Sequence, residues 1–260
     1  MIAAKAFPIL ASSFRVHNLE KRFHFLIVQD RLECGMHFFV TSTGTGIGKS
    51  FITAALVRQA KARGVSVAAY KPVISGFDPA HVEESDTGLI LESLGWPLTP
   101  EHIKCVSPWR YKAPLAPSMA ARQEKMPLNF HALVSYCQTV LQRREDTILI
   151  EGVGGVMVPL NDRRTVLDWI EALGIPTLLV VGTYLGSISH TLTAIAVLRQ
   201  RHIPVHAIIV NESENASVTL EQTIDELKLW VETPLVPVRR CVDEGQTVPV
   251  DIPMSPVIRG

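Results

Sequence analysis

Neither sign of charge is in excess: 25 lysines and arginines face 25 aspartates and glutamates in 260 residues. Without a basic surplus there is no broad electrostatic pull toward nucleic acid or an anionic membrane. The expected partner is a small molecule held by local charge. Cysteine is scarce. Cys34, Cys105, Cys137 and Cys241 lie far apart and form no C-x-x-C pair, which argues against zinc or redox chemistry. A reducing, cytoplasmic compartment follows as the expectation. No apolar run reaches the roughly 18 residues of a membrane helix. Internal repeats, low-complexity tracts and a clear linker are also missing, so one domain is the economical reading.

Residues 1–35 carry no sustained period, and only "FHFLIVQ" reads as a strand. Their basic start lacks the apolar run and cleavage site of a signal peptide. Glu20, Asp30 and Glu33 sit poorly in a transit peptide. The folded protein is therefore expected to start at Met36. Residues 1–35 would be an extension, 36–240 the domain and 241–260 a C-terminal tail.

From Met36 onward, apolar runs alternate with helical spacing. "HFFVTS", "SVAAYKPV", "DTILIEG", "PTLLVVGT" and "VHAIIVN" read as strands. The stretch from Ser50 to Arg63 and the segments "DTGLILESLG", "HALVSYCQTVLQRRE", "TVLDWIEALG", "SHTLTAIAVLRQRH" and "VTLEQTIDELKLWVE" read as helices. Apolar strands with little alternation, spaced by helices, predict an α/β fold. It would have a mostly parallel sheet covered by helices on both faces. Ligands in such sheets bind beyond the carboxyl ends of the strands. The residues to watch are therefore 41–50, 71–76, 151–155, 182–189 and Asn211.

"FFVTSTGTGIGKS" stands between a strand and a helix, the setting of a phosphate-binding loop, which makes the expected fold P-loop NTPase-like. Gly44, Gly46 and Gly48 let backbone N–H groups of the loop, through Thr45 and Ile47, turn toward an anion. The helix behind adds its positive end. Lys49 would reach the outer phosphates and the Ser50 hydroxyl would ligate Mg²⁺. Thr43 stands where the usual G-x-x-x-x-G-K-[ST] pattern has its first glycine. A dinucleotide G-x-G-x-x-G reading fails because Lys49 takes the third glycine's place. Lys71, before a proline at a strand end, should face the crevice. Glu151, after a buried strand, is placed for a second Mg²⁺ contact. Gly152, Gly154 and Gly155 would let backbone approach a ligand closely. Asp86 either caps a helix or ligates the metal.

These motifs, in order, resemble the dethiobiotin synthetase family over about Met36 to Val238. "FVTSTGTGIGKS" is similar to its F-V-T-G-T-D-T-x-V-G-K-T and "YKPVISG" to its Y-K-P-V-x-S-G. "ESD", "APLAPSMAA", "IEGVGGVMVPL" and "VVGTYLGSISHTLTA" match further family segments. The resemblance implies ATP-dependent carboxylation and ring closure of 7,8-diaminononanoate with CO₂ or bicarbonate, with Mg²⁺ as cofactor. It implies Lys49, Lys71 and Thr45 at the reacting centre. Ser50, Asp86 and Glu151 would be the Mg²⁺ ligands. Gly44 to Ser50, Glu151, Gly152 and Gly154 would hold ATP, and Asn211 would read adenine. Ser75, Gly155, Gly186, Ser187, Ile188 and Ser189 would hold the organic substrate, the last four across a homodimer interface.

The chain departs from the family pattern in places. Gly-Thr-Asp-Thr-Glu is replaced by Ser42-Thr43-Gly44-Thr45-Gly46, so two acidic side chains are gone. Ser189 replaces an asparagine, Tyr184 stands where a lysine can occur, and "PVRR" from Pro237 replaces a late G-x-x-P segment. His190, at a helix start, reads as a packing or capping residue rather than a base. Three rivals are a partitioning-type ATPase, an amide-forming ligase and a non-catalytic relative. The first lacks its early loop lysine, the second would need a glutaminase domain, and the third is opposed by the retained charged set.

Overall fold

The computed structural model describes residues 36–214 and 216–240. The expected extension, with its "FHFLIVQ" strand, and the expected tail lie outside the described residues.

The strands with little alternation become fully buried strands. β1 Phe38–Ser42, β5 Thr147–Glu151 and β6 Thr177–Val181 are buried at every position. With β2 Val67–Tyr70, β7 Val205–Asn211 and β8 Leu235–Val238 they form one parallel sheet in the order β2-β5-β1-β6-β7-β8. Helices cover both faces, so the central strands are mostly apolar, and their polar residues, among them Ser42, Thr147, Glu151 and Thr177, stand toward the strand ends. Successive side chains leave the sheet on opposite sides. Phe39, Ile148, Ile150, Leu179 and Val181 join one core with Trp169 and Leu198. The Phe39 ring meets Trp169 edge-on, with centroids 4.9 Å apart.

The helices are α1 Lys49–Ala62, α2 Asp86–Leu94, α3 Pro100–Val106, α4 Pro117–Gln123, α5 Phe130–Leu141, α6 Val166–Leu173, α7 Ser187–Gln200 and α8 Leu220–Lys228. Left-handed glycines stop two of them: Gly95 after α2 (φ 70°) and Gly174 after α6 (φ 63°). α1 packs against α2 and the sheet, and α5 packs against α6.

The strand order positions the site. The chain runs from β1 to the far edge at β2, returns to β5 beside β1, then crosses to β6 on the other side. The crevice of such a sheet opens where this progression reverses, here above β1 and β5. Val40 pairs with Glu151 on one side and with Leu178 on the other.

"SVAAYKPV" is not one strand. β2 ends at Tyr70, and a separate strand β3 Val73–Ser75 pairs in parallel with β4 Trp109–Tyr111 in a second, two-stranded sheet. Pro72 has no N–H to continue the ladder. The Lys71 N–H donates instead to the Val106 carbonyl (3.1 Å), and the Pro72 carbonyl accepts from Trp109 N–H (3.0 Å). α3, α4, β4 and β8 have no counterpart in the sequence reading; each is only three to seven residues long.

Trp169→Ala removes the largest fully buried side chain of the core. A loss of about 3–5 kcal/mol in urea unfolding is expected.

Candidate active site

α1 and α7 share a feature that sets them apart from the capped helices. Each begins at a left-handed glycine, Gly48 (φ 93°) and Gly186 (φ 95°), with no side-chain cap and no acidic residue in the first turn. α2, α6 and α8 are capped by Ser85, Thr165 and Thr219. A helix start without a cap leaves N–H groups and the positive end of the dipole open to an anion. Both open starts follow central strands, β1 and β6, at the carboxyl edge.

The charged residues named by the sequence converge beside the first of these. Lys71 is buried, and its Nζ lies 2.6 Å from Glu151 Oε1 and 2.8 Å from Asp86 Oδ2. Ser50 Oγ donates to the same Glu151 oxygen at 2.6 Å. Glu151 is 0% exposed, and its Oε2 is buried without a hydrogen-bond partner. Burial alone would push Lys71 toward the neutral amine, but the charges of Glu151 and Asp86 outweigh it and hold the ammonium. Burial likewise opposes ionisation of Asp86, and Lys71 overrides it, keeping the carboxyl below its usual range. Asp86 does not cap α2. It is the first helical residue, and Ser85 Oγ accepts from Gly88 N–H instead.

Mg²⁺ is the metal the resemblance implies. It takes hard oxygens, commonly one or two carboxylates completed by substrate phosphates. Two carboxylates and a hydroxyl meet here around one cation, the Lys71 ammonium, and Glu151 Oε2 is left over. This donor set fits Mg²⁺ delivered with a nucleotide. No group of three or more His, Cys, Asp or Glu side chains suited to a metal occurs among the described residues.

An AAA domain family model matches residues 36–246. The chain is 43% identical over 192 residues to the ATP-dependent dethiobiotin synthetase BioD of Acidiphilium cryptum (strain JF-5), covering 74% of this chain and 86% of that protein. It is 48% identical over 193 residues to the protein of the same name from Caulobacter vibrioides (strain NA1000 / CB15N), with the same coverage. The chain belongs to the dethiobiotin synthetase family. Its fold is also that of the signal recognition particle receptor FtsY from Elizabethkingia anophelis in complex with GDP. That likeness has a TM-score of 0.51 at 14% identity, over 84% of this chain and 61% of the receptor's length.

In this member of the family the glycine loop is held by a residue to which the sequence assigned no role. Ser42 is fully buried at the end of β1. Its Oγ donates to the Gly44 carbonyl (2.6 Å), lies 3.2 Å from the Gly154 carbonyl, and accepts from Lys49 Nζ at 3.0 Å. Lys49 also donates to the Gly44 carbonyl at 3.2 Å. A polar residue ending a buried strand was the available signal. Gly155 seats the second loop on the first: a Cβ there would lie 3.0 Å from the Thr43 carbonyl oxygen. A Cβ on Gly154 would come 3.5 Å from Thr45 Oγ1, and one on Gly152 2.9 Å from the Phe39 ring.

The other expected residues lie around this centre. Ser75 ends β3 in the small sheet. Asn211, at the end of β7, donates from Nδ2 to the Ile47 carbonyl at 2.9 Å and braces the back of the glycine loop. Gly186, Ser187, Ile188 and Ser189 form the open start of α7, where Ser187 N–H bonds back to the Tyr184 carbonyl. His190 does not cap the helix, and it packs against the Tyr184 ring, with centroids 5.7 Å apart. It is exposed, with Nδ1 2.8 Å from the Tyr184 hydroxyl.

Ser42→Ala strips an acceptor from a buried ammonium, a bond of about 1.5–3 kcal/mol. The nucleotide-free variant is expected to lose stability of that size in urea unfolding. An unchanged midpoint would mean that Ser42 does not hold Lys49.

Proposed function

We propose that this member of the dethiobiotin synthetase family uses the cluster at the carboxyl ends of β1, β2 and β5 for the family reaction. That reaction is the ATP-dependent carboxylation and ring closure of 7,8-diaminononanoate to dethiobiotin. The observation that carries the reading is the meeting of Lys49, Lys71, Ser50, Asp86 and Glu151 beside an open helix start.

One amine of the substrate attacks CO₂ through its lone pair and loses a proton, giving a carbamate. A carbamate oxygen attacks the γ-phosphorus of ATP, and ADP leaves. The second amine attacks the carbonyl of the resulting carbamic–phosphoric anhydride. Phosphate leaves, and the cyclic urea closes. No protein nucleophile enters. The chain's part is positioning and charge compensation.

Loop N–H groups from Gly44 to Gly48 and the start of α1 hold the phosphates. Lys49 and Lys71 meet the charge on the transferred phosphoryl group, with Thr45 at the loop's exposed tip. Ser50, Asp86 and Glu151 would hold Mg²⁺, which when bound withdraws charge from the phosphoryl oxygens. Gly152 and Gly154 line the second loop beside the nucleotide. Asn211 would read the adenine from the rear of the glycine loop. Ser75 and Gly155 would face the carbamate. The N–H groups at Gly186 to Ser189 would bind the substrate's carboxylate, in keeping with the open start of α7.

We assign a homodimer with the site at its interface. Met119, Met157 and Leu185 are exposed on or beside the loops of this edge, which supports a partner there. The cytoplasm is the compartment we assign, in keeping with the free thiols of Cys105 and Cys137. No helix among the described residues is long and apolar enough to cross a membrane. The domain is taken to start at Met36.

The test is phosphate release with MgATP and bicarbonate, with and without the diamine, using residues 36–260. Release that requires the diamine and yields dethiobiotin is expected; release indifferent to the diamine would contradict the reading. Lys49→Ala and Lys71→Ala should each lower turnover by about 10²- to 10³-fold. Near-normal turnover in either variant would remove that lysine from the mechanism.

The pH dependence has a definite sign. Burial first, and the neighbouring Lys71 second, lower Lys49 to about 8. Phosphate contact favours the ammonium and raises that value. Above about pH 8, binding must therefore take up a proton, and affinity falls. The nucleotide Kd is expected to be about tenfold higher at about pH 9 than at about pH 7. A flat profile by calorimetry would separate Lys49 from the phosphates.

A further inference from the structure

One oxygen of each carboxylate proposed to hold Mg²⁺ already faces the protein's own protons. Glu151 Oε1 takes the Lys71 ammonium and the Ser50 hydroxyl, both at 2.6 Å. Asp86 Oδ2 takes the same ammonium at 2.8 Å. Lys71 is 2% exposed and Glu151 0%. A divalent cation cannot share this position with an ammonium, because like charges a few ångströms apart in a buried site repel strongly. Metal entry therefore requires the ammonium to leave. A buried ammonium can leave only toward another anion. Among the described residues no third carboxylate pairs with Lys71 Nζ. The anion must come from outside.

We infer that Lys71 is an internal cation that keeps the metal site closed until an anionic substrate arrives. Metal and phosphate then enter together, and the displaced Lys71 moves onto the phosphate or carbamate oxygens. The inference rests on the proposed Mg²⁺ ligands and adds an order of binding to them. Free metal ion binds weakly, and the metal–nucleotide complex is the species admitted. Coupling of this kind is reciprocal: whatever draws Lys71 away tightens the metal, and the metal in turn delivers Lys71 to the substrate. Lys49 does not take part in the exchange. Its Nζ is bonded to Ser42 Oγ and the Gly44 carbonyl, not to a carboxylate.

Mn²⁺ is the probe, with the free ion counted by electron paramagnetic resonance in the absence of nucleotide. Wild-type protein is expected to bind it weakly. Lys71→Met should tighten binding about tenfold or more, and adding Glu151→Gln to that variant should abolish the gain. Lys49→Met removes the same charge without breaking a carboxylate contact; its field still reaches Glu151 and Asp86, so some tightening is expected, but clearly less than in Lys71→Met. Lys71→Gln is measured in parallel, with circular dichroism, in case the methionine variant does not fold.

Equal Mn²⁺ affinity in wild type and the Lys71 variants would overturn the exchange. Equal tightening by Lys49→Met would overturn it too, since net charge alone would then explain the effect. A separate titration of Mn²⁺ with a non-hydrolysable ATP analogue distinguishes the underlying reading. If Glu151→Gln leaves that binding unchanged, the metal assignment fails and the exchange with it. If Glu151→Gln weakens it while the Lys71 variants behave as wild type, the metal assignment stands and the exchange alone is lost.

Discussion

The bridge from the Lys71 ammonium to Glu151 and Asp86 is the constraint around which the rest of the site is built. A buried lysine is tolerable only when paired, and a fully buried glutamate has the same need. Each side chain therefore requires the other in place. Glu151 comes from β5 and Lys71 from the end of the neighbouring β2, whose Tyr70 pairs with Ile150. Asp86 comes from the first turn of α2, held by the Ser85 cap. Three separate elements must dock before the charges balance. Removing Lys71 would strand the buried Glu151 charge, at a cost of about 3–5 kcal/mol.

The same edge gathers the open helix starts. Ser85, Thr165 and Thr219 show that this chain places side-chain caps on helices elsewhere. At Gly48 and Gly186 it withholds them, and stability left unused there is available to a bound anion. Ser42 and Asn211 fix the glycine loop from opposite sides, one through Lys49 and Gly44, the other through Ile47. The loop's shape is thus held by the protein's own hydrogen bonds. Such preorganisation is what phosphoryl transfer asks of a protein.

Much of this was legible in the sequence because the signals were strong and local. Largely apolar strands such as "DTILIEG" and "PTLLVVGT" predicted a parallel sheet, and of the residues singled out at the strand ends Ser50, Lys71 and Glu151 meet. "GIGKS" placed α1, which starts within one residue of its expected position. Short elements escaped. α3, α4 and β4 span three to seven residues, too few for a period to declare itself, yet α3 supplies the carbonyl that receives the Lys71 N–H. Pro72 was read as a strand residue although its missing N–H hands the chain to a second sheet. Ser42 was seen as a departure from the family's glycine, and its role as an anchor emerged only from its three contacts. The sequence left Asp86 open between helix cap and metal ligand, and geometry gives the cap of α2 to Ser85, one residue earlier.

The most direct test of the account is a crystal structure with Mn²⁺ and a non-hydrolysable ATP analogue, using the anomalous signal of the metal. The account expects one peak at about 2.1 Å from Ser50 Oγ and from, or through water to, Asp86 and Glu151 oxygens, with Lys71 Nζ moved onto the nucleotide's phosphate. A metal bound elsewhere, or Lys71 still lying between the two carboxylates with the nucleotide in place, would contradict it.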